Sequence, residues 1–260
     1  MKKYCFLLLL SLLTFFNYAQ EDSTAKKRFI LASVSFEMGP MLDRYSNVDL
    51  DMMSNLTSNP SDIERDLLGH EALYDRDVEG SRIGASISLI PLNKEDNDYS
   101  TVGEIRLGLF YMVRGTQLSY SLTNASGAYK AVGYSTRFKE FNLHGAYVWK
   151  YNPKFAKRFT LHAGLGLGIG STFSDKTSVA EIISSGLPAE VPNSIFNEYQ
   201  GNSSLFLRPF APIGIDFAIS DRFDIGVQSN FGVAFQQVYG GENYFIPISG
   251  SVGVKLTYFF

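Results

Sequence analysis

The chain is nearly free of cysteine. Its single cysteine, Cys5, belongs to an amino-terminal segment with a lysine-containing start, an apolar run over residues 6–13 and a small residue, Ala19, at the expected cleavage point. These features predict a secretory signal peptide over residues 1–19. The exported chain would then contain no cysteine, and this excludes disulfide bonds and thiol chemistry.

Long hydrophobic runs and an excess of positive charge are also absent. No segment after residue 19 has 18 consecutive apolar residues, which excludes a transmembrane helix. The 23 basic residues of the chain include Lys2 and Lys3, so the exported part has 21 basic residues against 26 acidic ones. This net negative charge argues against nucleic acid as a partner.

Apolar residues alternate with small or polar residues through most of the chain. The pattern is clearest in the closing stretch, residues 247–260, where every second residue counted back from the end is apolar. Strict alternation predicts a β-strand with two different faces. The apolar face of this stretch consists of Val252, Val254, Leu256, Tyr258 and Phe260.

The same period recurs along the chain and predicts eight strands. They lie at residues 29–38, 82–92, 99–113, 138–151, 158–173, 205–219, 223–237 and 247–260. Their connections alternate between long and short, as in outer-membrane barrels, which have short turns on one side and longer loops on the other. We therefore predict an all-β, eight-stranded antiparallel up-and-down transmembrane β-barrel.

An eight-stranded barrel could also be a soluble, lipocalin-like carrier with an apolar interior. The outer face of such a carrier would meet water and should be rich in Lys, Glu and Thr. The non-apolar face is instead mostly Gly and Ser, as in the alternating glycines of residues 164–170. Small residues suit a crowded interior, so the sequence favours the membrane barrel.

The sequence also predicts how the rest of the chain is divided. A short periplasmic segment is expected at residues 20–28 and the barrel at residues 29–260. Its long loops are expected at residues 41–80, 114–136, 174–203 and 238–243. The first loop has ten acidic residues and three arginines, which could attract divalent cations or a basic partner. Ser61 as N-cap and Gly69 as a stop predict a short helix in that loop, and residues 178–185 have a weaker helical pattern.

Charged and imidazole side chains occur on the inward face of the predicted strands. They are Glu37, Glu104, Arg106, His144, His162, Arg208, Asp216 and Lys255. Because both signs occur and unpaired charges would be costly there, we predict a buried, paired network with a structural role. Lys255 is expected to meet a carboxylate such as Glu37 or Asp216. Eight strands enclose an interior that side chains can fill, so no open channel is expected.

His144 and His162 would face each other if the turn between their strands centred on residue 153. Two facing imidazoles could bind a metal ion together with a carboxylate, or serve as a base beside Ser86 or Ser88. Their expected depth, near the middle of the membrane and away from solutes and lipid head groups, favours a structural role instead. We therefore expect no metal site, no cofactor and no catalytic residue.

With its signal peptide, eight alternating strands and aromatic last residue, the chain resembles the small Bacteroidetes outer-membrane β-barrels. These are sometimes called PorT-like and share the eight-stranded architecture of OmpA/OmpX-type barrels. The resemblance implies residence in the cell outer membrane, periplasmic ends, contact with outer-membrane lipid and insertion by the barrel-assembly machinery. It also implies that the apolar face of the closing strand, Val252 to Phe260, serves as the insertion signal.

The resemblance brings no catalytic motif. The predicted function is therefore that of a non-enzymatic barrel that supports the envelope, or that binds a protein or polysaccharide partner through its extracellular loops. A narrow transport or small-ligand-binding barrel is the alternative, and a lipid-modifying outer-membrane enzyme is a further one.

Overall fold

The computed structural model describes residues 29–45, 48–73, 77–91, 101–123, 127–185, 192–239 and 244–260. The predicted signal peptide and the segment 20–28 lie outside these residues. The described chain forms the strands β1 (Phe29–Arg44), β2 (Glu71–Leu73), β3 (Asp77–Pro91), β4 (Thr101–Thr123), β5 (Tyr129–Tyr151), β6 (Phe159–Ser184), β7 (Asn193–Gln200), β8 (Ser204–Ala218), β9 (Phe223–Val233), β10 (Phe235–Val238), β11 (Tyr244–Phe245) and β12 (Ile248–Phe259). It also contains one helix, α1 (Leu50–Asn55), and a 3₁₀ turn (Pro60–Asp62).

Eight of the strands form a closed ring. Each pairs antiparallel with the next in the order β1, β3, β4, β5, β6, β8, β9 and β12, and β12 pairs with β1. In the closing pair, Glu37 of β1 lies opposite Lys255 of β12. The predicted eight-stranded antiparallel barrel is confirmed by this pairing.

The two faces of the barrel wall differ as the period of two predicts. Along β12, Val252, Val254 and Leu256 are 46%, 53% and 48% exposed, whereas Lys255 and Thr257 are buried. Large apolar side chains cover the outside of the ring, and the inside is filled mainly by small, polar or charged ones together with a few phenylalanines and methionines. This is the arrangement of a transmembrane β-barrel and the reverse of a soluble carrier.

Aromatic side chains gather on the outer surface at one end of the barrel. This end, termed the turn end, is where β3 ends and β4 begins, and where residues 152–158 and 219–222 connect the strands. The ring centroids of Tyr147 and Trp149 lie 5.1 Å apart there, as do those of Phe159 and Phe217. Aromatic rings at this height suit the boundary between lipid and water.

A second aromatic group lies toward the opposite end, termed the loop end. The rings of Tyr111, Phe141 and Phe173 form a cluster with centroids 5.0 to 6.3 Å apart. Along β5, Phe141 and Trp149 are separated by about 26 Å of strand, or roughly 20 Å of height at the usual barrel tilt. That separation is close to the apolar band of an outer-membrane barrel, which is ~25 Å tall.

Three strands continue beyond the barrel at the loop end and form an upper sheet. It consists of residues 115–123 of β4, 129–137 of β5 and 176–184 of β6, with β2 on one side and β7 on the other. The helical pattern predicted for residues 178–185 is therefore wrong. β6 contains the β-branched residues Val179, Ile182 and Ile183, and pairing with both β5 and β7 favours the extended chain.

The short helix in the first loop was predicted in the wrong place. α1 starts at Leu50, where the Asp49 carboxylate accepts a hydrogen bond from the Met52 amide at 2.9 Å. This is the usual N-cap interaction. Ser61 instead donates to Asn59 at 3.0 Å, beside the 3₁₀ turn. No helix within the described part of the chain has the length and hydrophobicity needed to cross a bilayer.

Candidate functional site

The charged side chains inside the barrel form several networks. Two of these lie nearest the turn end, and the first is centred on Asp216. Lys255 Nζ lies 2.9 Å from the Asp216 carboxylate, and His162 Nδ1 lies 3.2 Å from it. The sequence left Glu37 and Asp216 open as partners of Lys255, and the structure pairs Lys255 with Asp216. All three members of this network are buried, so each charge is offset by a neighbour.

Glu104 is the centre of the second network near the turn end. Its carboxylate pairs with the Arg106 guanidinium and lies 2.8 Å from Lys150 Nζ. Arg106 also donates to the side-chain oxygen of Gln228 at 2.7 Å. These contacts join β4, β5 and β9 across the interior of the barrel.

The next layer joins β1 to β3. Glu37 pairs with Arg82, not with the Lys255 that lies opposite it in the closing strand pair. Arg82 also donates to Ser251 Oγ at 2.9 Å, and the amide oxygen of Asn230, when turned toward the guanidinium, accepts from it at 3.0 and 3.1 Å. Of the two partners that the sequence left open for Lys255, Glu37 is therefore bound instead by a buried arginine of β3.

The predicted pairing of His144 with His162 is wrong. In the β5–β6 register, His144 lies opposite Gly168 and Lys150 lies opposite His162, because the connection centres on residue 156 instead of 153. The His144 ring is packed between Phe110 and Phe210, at 4.7 and 4.8 Å. Within the described ranges, no group of three or more His, Asp or Glu side chains is arranged to hold a metal ion.

The layer nearest the loop end contains two arginines and two carboxylates. Arg114 pairs with Asp43 and with Glu140, and Arg208 pairs with Glu140 and approaches Asp43 at 3.6 Å. Asn142 donates to Glu140 at 2.7 Å. The side chains of Arg114, Asp43 and Glu140 are completely buried, so this layer is a buried cluster with equal numbers of positive and negative charges.

Aromatic rings enclose the same two arginines. The Arg114 guanidinium lies 4.6 Å from the centre of the Phe138 ring and 4.5 Å from that of Phe206. Arg208 lies 4.2 Å from the centre of the Phe206 ring. Such cation–π contacts partly replace the water that the guanidinium groups lose on burial.

The space that remains between the middle and upper layers is small. A cavity of about 20 Å³ is lined by side chains that include Arg82, His144, Arg208 and Phe210. This volume holds a single water molecule. The described interior therefore contains packed layers of side chains at three heights.

The sequence placed all eight predicted residues on the inward face but missed five other charged residues in the same networks, one of which is Lys150 beside Glu104. Arg82, Arg114 and Glu140 were overlooked near strand ends, and Asp43 was assigned to the acidic loop. Each continues the inward period of its own strand: Asp43 follows Glu37 at even spacing, for example. Extending the alternation beyond the expected strand ends would have found Asp43 and Arg114, and following it to both ends of the expected strands would have found Arg82, Glu140 and Lys150.

A cap segment, residues 48–73, covers the barrel at the loop end. Val48, Met53 and Ile63 of this segment have no exposed surface. They pack in a cluster with residues of the upper sheet on its inward side, which include Leu118, Tyr120, Val132, Tyr134 and Val179. The cap segment is therefore a folded part of the molecule, in spite of the acidic composition of the first long loop.

Polar contacts fix the cap segment to the upper sheet. Thr57 donates to the Met53 carbonyl at 2.8 Å and lies 3.0 Å from Thr177 Oγ1. Arg65 pairs with Glu181 on β6. The Asn202 side chain donates to the Thr57 carbonyl at 3.1 Å. Since these partners lie on β6 and just after β7, the cap segment and the upper sheet form one unit.

Asp175 lies at the base of this unit, above the aromatic cluster of the loop end. Its side chain accepts a hydrogen bond from Thr172 at 2.5 Å, and its main-chain carbonyl accepts from the Gly201 amide at 2.7 Å. Burial raises the pKa of Asp175 to about 6, and the Thr172 hydrogen bond opposes this rise only in part. The site thus favours a protonated carboxyl below that pH.

Among the described residues, no other strand pairs with the outer edge of β7 along most of its length. Near its end, the Gln200 carbonyl accepts from the Ser58 amide at 3.0 Å, so this group points away from β6. Main-chain groups alternate in direction along an antiparallel strand. Ser194, Phe196 and Glu198 therefore direct their N–H and C=O groups toward the same open edge. Phe196 is 69% exposed, and an exposed apolar edge is unusual in a strand without a partner.

No family model matches the chain, and no curated protein matches it. Similar solved structures include Neisserial surface protein A, with 10% identity, 89% of this chain and 99% of that chain covered, and a TM-score of 0.42. The outer membrane protein OprG from Pseudomonas aeruginosa has 8% identity, coverages of 88% and 96%, and a TM-score of 0.34. The attachment invasion locus protein Ail of Yersinia pestis has 12% identity, coverages of 89% and 100%, and a TM-score of 0.29. The fold assignment therefore rests on the strand pairing of the chain itself.

Proposed function

We propose that the protein is a non-enzymatic barrel of the outer membrane that displays the upper sheet outside the cell as a binding platform. The turn end, with both ends of the described chain, faces the periplasm. The apolar exterior between two aromatic groups supports this placement, because lipid is the solvent that such a surface suits. The filled interior supports a role in display over a role in transport.

The open edge of β7 is the observation that carries the proposal. A strand edge with free main-chain donors and acceptors can bind an extended peptide as one more strand. The exposed Phe196 and Ile195 on the two faces of β7 offer apolar contacts to such a peptide. These groups favour a protein partner with an extended segment over a polysaccharide partner.

The rigidity of the platform supports the same role. The cap segment fills the inward side of the upper sheet, and Ser58 already occupies the end of the β7 edge near Gln200. A partner strand therefore meets a preformed edge and loses less conformational entropy than it would in ordering a loop.

A photo-crosslinking amino acid placed at Ser194 tests the proposal in intact cells. The expected result is a crosslinked adduct in the outer-membrane fraction. Phe196→Pro should abolish this adduct, because proline removes an N–H group that faces the open edge and not one that bonds β6. Phe196→Ala keeps the N–H group and should retain part of the adduct.

The two variants separate edge pairing from side-chain contact. Equal loss of the adduct in Phe196→Ala and Phe196→Pro would assign binding to the phenylalanine ring. An adduct that survives Phe196→Pro unchanged would overturn the proposal of strand addition.

A further inference from the structure

Basic side chains gather on the outward face of the barrel just above the aromatic cluster of the loop end. Arg137 of β5 lies directly opposite Lys176 of β6, and Lys139 lies two residues below Arg137 on the same face. Paired residues are about 5 Å apart across a strand pair, and alternate residues about 7 Å apart along a strand. These three residues, termed the basic patch, therefore share a footprint of the size of one phosphorylated sugar.

The patch is only partly neutralised by acidic neighbours. Lys176 pairs with Glu198 of β7, and both side chains are half-exposed. Among the described residues, neither Arg137 nor Lys139 is in an ion pair. In the row of Arg137, the acidic residue Glu79 lies two strands away from it, with Gly115 between them. The patch thus retains two positive charges that a ligand can meet.

The height of the patch points to the kind of ligand. Lys139 lies between Val113 and Phe173 in its row, and the rings of Tyr111, Phe141 and Phe173 cluster at the same level or just below it. Aromatic rings of this kind mark the depth where acyl chains meet head groups. Cations at that depth attract anionic head groups and form charge-assisted hydrogen bonds with phosphate.

We propose that the basic patch binds the phosphate group of a phosphorylated lipid in the outer leaflet, with the acyl chains of that lipid on the Tyr111–Phe141–Phe173 cluster. Arg137 supplies a planar guanidinium that can hold two phosphate oxygens, and Lys139 supplies a second charge closer to the acyl chains. This inference rests on the proposed placement of the barrel in the outer membrane.

Native mass spectrometry of the purified, detergent-solubilised protein tests the site. The probes are a bisphosphorylated, acylated glucosamine disaccharide, the same lipid after enzymatic dephosphorylation, and inorganic phosphate. The expected result is retention of the phosphorylated lipid alone. The double variant Arg137→Gln/Lys139→Gln should bind it at least about tenfold more weakly, since charged hydrogen bonds to phosphate are lost. Glu198→Gln should bind it more tightly, because Lys176 is then released from its ion pair.

The matched control is Lys154→Gln/Lys157→Gln, which removes two exposed lysines at the turn end and should bind like the wild-type protein. Equal binding of the dephosphorylated lipid, or unchanged binding by the Arg137→Gln/Lys139→Gln variant, would overturn the proposal. Heat-modifiable gel migration after insertion into vesicles is measured on every variant. Failure of the wild-type protein to insert would overturn this site together with the membrane placement, whereas insertion without phosphate dependence would overturn this site alone.

Discussion

Arg114 illustrates how a charge is kept inside this barrel. Its side chain is completely buried, and Asp43 and Glu140 on two different strands share its positive charge. Two aromatic rings cover its faces. Breaking a buried pair by removing one partner usually costs more than the pair itself contributes, because the remaining charge stays buried.

Replacement of this residue in Arg114→Met should therefore destabilise the barrel by about 3–5 kcal/mol. Arg114→Lys keeps the positive charge, but a lysine cannot bind both carboxylates in the same geometry. The loss of stability in this variant should therefore be intermediate. The measurement is the urea midpoint of unfolding from phospholipid vesicles. Arg158→Met, at an exposed position of the turn end, is the control and should unfold like the wild-type protein. An unchanged midpoint for Arg114→Met would show that the ion pairs contribute nothing to stability.

The sequence predicts which residues point into the barrel better than it predicts which of them pair with each other. Alternation along a strand fixes which side chains point inward, and it identifies Arg82 and Glu140 as clearly as Glu104. Partners depend on the register between strands and on how far a long side chain reaches. Glu37 lies opposite Lys255 but pairs with Arg82, and this choice has no signature in the sequence.

Among the elements, the cap segment depends most on tertiary packing. α1 has only six residues and two buried side chains, Met52 and Met53, so it is far too short to be stable alone. Its stability comes from the cluster that it forms with the upper sheet. Because the barrel wall has its own hydrogen-bonded ring, the cap segment can detach without loss of the ring.

Met53→Ala should loosen the cap segment and leave the barrel intact. Truncation of a fully buried methionine costs about 2–5 kcal/mol, and that loss falls on the contacts between α1 and the upper sheet. Limited proteolysis should cut within residues 48–73 faster than in the wild-type protein, with unchanged heat-modifiable migration. Leu68→Ala, at a position that is 88% exposed, should be cut at the wild-type rate. Slower migration of unheated Met53→Ala, at the position of unfolded protein, would instead show that the cap segment and the barrel unfold together.

Elements of the ring were predictable from the sequence, and the cap segment was not. Strands with one lipid-facing side show strict alternation of apolar and other residues. This alternation predicts the eight strands and the closed fold. The cap segment buries residues at irregular spacings, such as Val48, Met52, Met53 and Ile63, because it follows the surface of the upper sheet and has no period of its own. The weak helical pattern near Ile182 does not produce a helix, because both edges of β6 form hydrogen bonds with neighbouring strands.

At the scale of the whole molecule, layers of side chains fill the barrel at several heights. The upper arginine cluster lies beneath the cap segment, and Arg82, Phe110, His144 and Phe210 fill the middle layer below it. Since packed side chains lie at each of these heights, we expect the interior to stay closed without the cap segment.

Neither the wild-type protein nor a variant that lacks residues 48–72 should form conducting channels. The measurement is single-channel recording in planar bilayers, with a general porin as the positive control. Discrete current steps from the deletion variant alone would show that the cap segment is the only barrier. Steps from the wild-type protein would contradict the filled interior.

The cap segment also constrains the order of assembly. It is synthesised before β3, but Thr57 and Arg65 contact residues that lie 120 and 116 positions later in the chain. Contacts so distant in sequence form late, because the long intervening loop must first be closed. We therefore expect the local β4–β5 and β5–β6 pairings of the upper sheet to form before the cap segment covers them, and the apolar inward side of that sheet to be open to misassociation until then.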